Sequence, residues 1–154
     1  MTDISAIIKE KMGGRISSFE ERSPRKIYLE FKGEDVLFFG TLLFKELGCR
    51  LITITAVDTP AALELLYHFA YDAQGKIITL RTFIRNKEFP TIESLAPMIK
   101  GADWIEREVW ELFGITFLNH PNLTHLLLID DWPAGKYPLR HDQKNGSPEK
   151  EADE

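Results

Sequence analysis

Three histidines and three aspartates gather in the last third of the chain: His120, His125, His141, Asp130, Asp131 and Asp142. Imidazole and carboxylate together suit zinc or iron, so a metal site is the sharpest chemistry this segment offers. The spacings match no common ligand motif, and the chain has no H-E-x-x-H. Glu106, Glu108 and Glu111 form a second constellation, with the residue type that acid–base work needs. Arg107 stands among them, and a neighbouring cation favours ionised, paired carboxylates over one with a raised pKa. The chain has no G-x-S-x-G elbow and no phosphate-cradling glycine loop. Its one cysteine, Cys49, follows Gly48 at the end of an apolar run and reads as a small buried hydrophobe, not a nucleophile. The fourth histidine, His68, falls at a sheet-surface position. Residue types alone therefore do not make this an enzyme. A small metal-dependent enzyme using the His/Asp-rich C-terminal segment stands as the alternative to a binding role.

The carboxylates belong to the stretch ADWIEREVWELFGITFLNHP, residues 102–121. Ile105, Val109 and Leu112 recur at helical spacing and share one face, which Trp104 and Phe113 widen. Glu106, Arg107, Glu108 and Glu111 fall on the other. Asp103 precedes Arg107 by one helical step of four, and Arg107 precedes Glu111 by the same step, so both pairs can meet on the surface. Gly114 follows the last periodic residue, where a left-handed cap favours glycine. An extended piece then runs to His120-Pro121, because proline cannot donate to a helix or a central ladder. Trp110 lies at the edge of the apolar stripe, a position where tryptophan marks an interface.

Upstream, the pattern predicts a helix over Thr2–Lys11 and an alternating strand over Lys26–Lys32. Val36–Leu47 reads as a well-buried helix and Leu51–Asp58 as a strand. Leu63–Tyr71 and Lys76–Arg85 flank the turn cluster Asp72-Ala73-Gln74-Gly75 and make the strongest hairpin signal. Thr91–Ser94 caps a predicted short helix running to Met98. Ile16–Ser23 carries no assignment. These elements add up to an α+β fold, an antiparallel sheet with helices packed on one face, over residues 1–114. Residues 115–142 are expected to form an extended C-terminal arm, and 143–154 a disordered tail. Leu123, Leu126, Leu127, Leu128, Ile129 and Trp132 make the arm too apolar to float free. They pack back on the domain or lie along a partner, and the second reading is favoured.

Composition bounds the role. Hydrophobic residues make up 44% and charged residues 28%, an ordinary globular balance, and the net charge of -5 argues against a nucleic-acid partner. One cysteine permits no intrachain disulfide and fits a reducing compartment. No apolar run is long enough for a membrane span, so work at a membrane would pass through embedded partners.

The run ADWIEREVWELFGITFLNHPNLTHLLL resembles the signature of the C subunit of NADH–quinone oxidoreductase (respiratory complex I). It is similar, too, to the counterpart subunit of membrane-bound energy-converting NiFe hydrogenases. Ala102, Trp104, Glu106, Arg107, Glu108, Phe113, Gly114, Ile115, His120, Pro121 and Leu123 carry the match, and Tyr137-Pro138-Leu139-Arg140-His141-Asp142 resembles the family's closing motif. Asp103 stands where the family usually has asparagine, and Thr124-His125 replaces an arginine-containing turn. The resemblance implies a non-catalytic structural subunit of the hydrophilic arm, on the cytoplasmic side of the membrane. It implies no cofactor in this chain, with iron-sulfur clusters and NiFe or quinone sites in partner subunits. The implied partners are the hydrogenase-like large subunit and the iron-sulfur subunits of the same complex. The implied partner interface comprises Trp104, Glu106, Arg107, Glu108, Trp110, His120, Pro121, Leu123, Leu126, Trp132, Leu139 and Arg140. An NADH dehydrogenase and a membrane-bound hydrogenase both remain open as the host.

Overall fold

A computed structural model describes residues 1–142. Helix α1 (Ile4–Met12) starts where the Asp3 side chain accepts from the Ser5 N–H, satisfying one of the free amides of its first turn. Strands β1 (Ile16–Ser23) and β2 (Lys26–Phe31) form a hairpin. Helix α2 (Val36–Thr41) follows, then strands β3 (Arg50–Asp58), β4 (Leu63–Tyr71) and β5 (Lys76–Ile84). The five strands lie in the order β1-β2-β5-β4-β3. Short strands β6 (Thr91–Glu93) and β7 (Thr116–Leu118) flank helix α3 (Ala102–Phe113) and pair in parallel.

Alternation explains the single core. Leu63, Leu65, Tyr67 and Phe69 of β4 are buried on the same side as Ile78 and Leu80 of β5 and Ile27, Leu29 and Phe31 of β2. Ile4, Ile8 and Met12 of α1, Val36 and Phe39 of α2, and Ala102 and Val109 of α3 close that side. Each such large side chain contributes about 1.5–3 kcal/mol by leaving water, and a one-residue slip would turn a whole strand's set outward. The register is thereby fixed, with Tyr67 opposite Leu80 and Ile54 opposite Tyr67.

The α+β class with helices on one face of the sheet is as the pattern predicts, and four details differ. The sheet is mostly, not wholly, antiparallel: β2 and β5 run parallel, Ile27 facing Ile78 and Leu29 facing Leu80. The predicted helix Val36–Leu47 is α-helical only to Thr41; Leu42–Glu46 is a π turn, closed by the Leu47 N–H on the Leu42 carbonyl. The predicted helix at Thr91–Met98 is strand β6 followed by turns, because the Ser94 hydroxyl is drawn to α3. The extended arm is not confirmed. Residues 119–142 form a succession of turns tied back onto α3 and the sheet edge. The expected disorder of 143–154 lies outside the described residues.

Candidate partner-docking surface

Helix α3 is amphipathic in a way its charges hide. Glu106 is 0% exposed. The Ser94 hydroxyl donates to its carboxylate at 2.5 Å and the Leu95 N–H at 2.7 Å, so the helix holds the loop after β6. Burial pushes the Glu106 carboxyl up to about 7; the Ser94 and Leu95 hydrogen bonds pull the other way without cancelling it. His120, after β7, ties the next turn to the start of α3. Its Nδ1 accepts the Asn122 N–H at 3.0 Å, which leaves Nε2 to donate to the Asp103 carbonyl at 3.0 Å.

One turn along, Arg107 and Glu111 grip the segment that follows. Arg107 donates to the Thr124 and His125 carbonyls at 3.0 and 2.8 Å. The Glu111 carboxylate, 1% exposed, accepts the N–H groups of Leu126, Leu127 and Leu128 at 3.0, 2.7 and 3.3 Å, with His125 Nδ1 at 3.3 Å. Burial alone would raise its pKa, but these three amides and the imidazole together hold it below the ordinary glutamate range. The surface pairing expected between Arg107 and Glu111 gives way to this arrangement: each takes a backbone partner instead. Only Asp103 and Arg107 approach, at 3.9 Å.

A second clamp sits at the other end of α3. Arg140 is buried and forms a bidentate pair with Asp142. It also donates to the Phe113 carbonyl at 3.2 Å and the Lys87 carbonyl at 2.8 Å. With the Leu139 N–H on the Leu112 carbonyl, this satisfies carbonyls that the end of α3 leaves open. Asp58 at the end of β3 accepts the His141 N–H at 2.6 Å and meets Lys87 Nζ at 2.5 Å. Gly114 has φ +77, and a Cβ there would lie 2.5 Å from the Tyr137 ring, so glycine is required on both counts.

The clamps divide the implied interface residues into two groups. Glu106, Arg107, His120 and Arg140 are spent inside the chain. Trp110 is half-buried, its ring 5.2 Å from that of His125; Leu123, Leu126 and Trp132 are also half-buried. Trp104, Glu108, Pro121 and Leu139 remain exposed. Leu127 and Ile129 add to that exposed group at 63% and 64%, held outward by the same backbone that Glu111 grips. Sequence reasoning missed Asp58, Lys87, Ser94 and Asp142 as clamp residues. Asp142 in the closing motif, and Asp58 and Ser94 in the runs Thr55–Asp58 and Thr91–Leu95 that also resemble the family in order, carried a signal of kinship but none of contact, because the contacts join distant positions; Lys87 carried no signal.

The histidines do not converge on a metal. His120 is bound to Asp103 and Asn122, His125 to Glu111, and the His141 backbone to Asp58. Among the described residues, no group of three or more His, Cys, Asp or Glu side chains is placed to hold a metal ion. Burial pushes the Cys49 thiol up to about 12, far from a reactive thiolate.

Residues 29–149 match the family described as the respiratory-chain NADH dehydrogenase 30 kDa subunit. The chain belongs to this family. It is 28% identical over 148 residues to the C subunit of NADH-quinone oxidoreductase from Rhizobium johnstonii, covering 92% of this chain and 72% of that protein. It is 39% identical over 95 residues to the C subunit of F(420)H(2) dehydrogenase from Methanosarcina mazei, covering 60% of this chain and 59% of that one. Its fold is also that of a chain in the membrane-bound sulfane sulfur reductase, an archaeal respiratory membrane complex. There the TM-score is 0.78 at 23% identity, over 90% of this chain and 84% of the other. As a member of the 30 kDa family, the chain is a C-type subunit of a respiratory-chain complex. Among the described residues no helix is long and apolar enough to cross a membrane.

Proposed function

We propose that this chain is a non-catalytic assembly subunit in the hydrophilic arm of a complex-I-like oxidoreductase. It docks through α3 and the 119–142 segment on the hydrogenase-like large subunit, on the cytoplasmic side of the membrane. Iron-sulfur clusters and NiFe or quinone sites belong to the partner subunits. The observation that carries this reading is the use made of buried charge. Glu111, Arg107 and Arg140 fasten the irregular segment 119–142 so that Leu127, Ile129 and Leu139 face outward beside the exposed Trp104 of α3, while Glu106 fastens the loop after β6. Ordering these apolar side chains in advance lowers the entropy cost of binding, which suits a permanent subunit.

The test is an affinity pull-down from gently solubilised native membranes with the tagged chain as bait. The expected result is co-purification of a hydrogenase-like large subunit with cluster-carrying subunits, and the electron-input subunit then names the host. Arg107→Ala frees the Thr124 and His125 carbonyls and is expected to cut recovery of the complex severalfold while the chain itself stays soluble. Recovery of the chain alone, or an Arg107→Ala complex as abundant and active as wild type, would sink the reading.

A further inference from the structure

The first turn of α3 borders a cleft of about 790 Å³, lined by Ala96, Pro97, Lys100, Asp103, Trp104 and Pro121. Its walls mix the apolar Ala96, Pro97 and Pro121 with the charged Lys100 and Asp103, and the Trp104 indole on its rim is 68% exposed. Its one carboxylate, Asp103, is poorly matched. The Asp103 Oδ1 atom is buried and makes no hydrogen bond. Arg107 Nη1 lies 3.9 Å away and His120 Nε2 3.8 Å, both beyond hydrogen-bond range. Both are already engaged: Arg107 with the Thr124 and His125 carbonyls, His120 with the Asp103 carbonyl. Lys100 lines the same cleft without forming an ion pair with Asp103. Oδ1 is thus turned inward, near the positive Arg107, while the Asp103 side chain as a whole stays 29% exposed at the cleft.

We infer that this cleft receives an arginine-bearing segment of the neighbouring subunit, its guanidinium paired with Asp103 and stacked on the Trp104 ring. The inference rests on the docking reading above and narrows it to one contact. A guanidinium satisfies both demands of the cleft at once. Its planar fork suits a carboxylate, and its face is attracted to an indole. The apolar stem of arginine would lie along Pro97 and Pro121, which themselves offer no donor for a polar ligand. A nucleic acid would bring anionic phosphate against Asp103, and the net charge of -5 opposes it.

The test places a photo-reactive benzoylphenylalanine at position 97, inside the cleft, and separately at position 129, outside it, in the chain assembled into its native complex. Cross-linked peptides are read by mass spectrometry. The inference expects position 97 to capture a partner peptide containing arginine. Capture of a peptide without arginine, or of a second copy of this chain, overturns it. Capture at 129 but not at 97 overturns the cleft and leaves the docking reading standing; capture at neither position removes both. Asp103→Asn keeps the side chain's shape and removes its charge. It should lower retention of the subunit about tenfold and let it be stripped at lower salt. Retention and salt dependence equal to wild type would overturn the ion pair.

Discussion

Two glutamates on α3, five positions apart, are both buried and have opposite fates. Glu106 receives two hydrogen bonds, from a hydroxyl and one amide, and burial wins: its carboxyl rises to about 7. Glu111 receives three amides and an imidazole, and the donors win. The pH consequence follows from the sign. A carboxyl raised in the folded state, from 4.5 to about 7, favours folding in its protonated form. That contribution is fully present below about 4.5, and it is lost as pH rises through about 7. It amounts to something on the order of 3 kcal/mol. Glu111 titrates below this window, since its stabilisation is present above the ordinary glutamate pKa and is lost as pH falls. The Asp103, His120 and Tyr67 groups that face Glu106 stay in place in Glu106→Gln, which keeps the neutral shape and cannot ionise. Thermal melts at about pH 5 and about pH 8 should show wild type losing stability across the interval and the variant nearly level. Equal slopes for the two proteins would mean that Glu106 is not the group responsible.

At the scale of elements, α3 works as a rail with clamps along it, and the clamp at Glu111 is the one with the clearest readout. Glu111→Gln removes the charge and leaves one oxygen for three amides. Hydrogen bonds to charged groups are worth about 1.5–3 kcal/mol each, and they are partly replaced here, so a loss of about 2–3 kcal/mol is expected. Hydrogen exchange should accelerate at Leu126, Leu127 and Leu128 and stay unchanged in β4 and β5, which have their own ladder. Unchanged protection at those three amides would mean that other contacts hold the segment. The helix carrying this clamp was legible in the sequence, as were the β4–β5 hairpin and the glycine that ends α3, because periodicity and turn chemistry are local signals. The three-residue strands β6 and β7 were not, since neither is long enough to alternate. The parallel join of β2 and β5 was hidden because β2 alternates as cleanly as an antiparallel strand. Glu106 and Glu111 read as solvated because a sequence lists charges without the distant amides of Leu95 and Leu126–Leu128 that meet them.

For the molecule as a whole, the question is where the folded unit ends. Periodicity closes the domain at Gly114, but the core does not stop there. Ile115 and Phe117 are 0% and 2% exposed and belong to the single core cluster. Strand β7 also ties back, the Thr116 N–H bonding the Pro90 carbonyl and the Ser94 N–H bonding the Leu118 carbonyl. Deleting buried isoleucine and phenylalanine side chains costs about 2–5 and about 3–5 kcal/mol respectively. The sum approaches the total stability of about 5–15 kcal/mol typical of a domain. A fragment of residues 1–114 should therefore show no cooperative melt. A fragment of residues 1–122 keeps both side chains, β7 and the His120–Asn122 turn, and loses the Glu111 and Arg140 clamps with the segment they hold. In that fragment Glu111 regains water where the segment lay, and Asp58 keeps Lys87, so no buried charge is left stranded. It should melt cooperatively, several degrees below the full chain. Calorimetry on the two fragments decides the matter. A cooperative 1–114 fragment would put the boundary at Gly114 and make everything after it an appendage. The expected pattern makes residues 115–122 part of the fold and leaves the clamped segment 123–142 as the part dedicated to the partner.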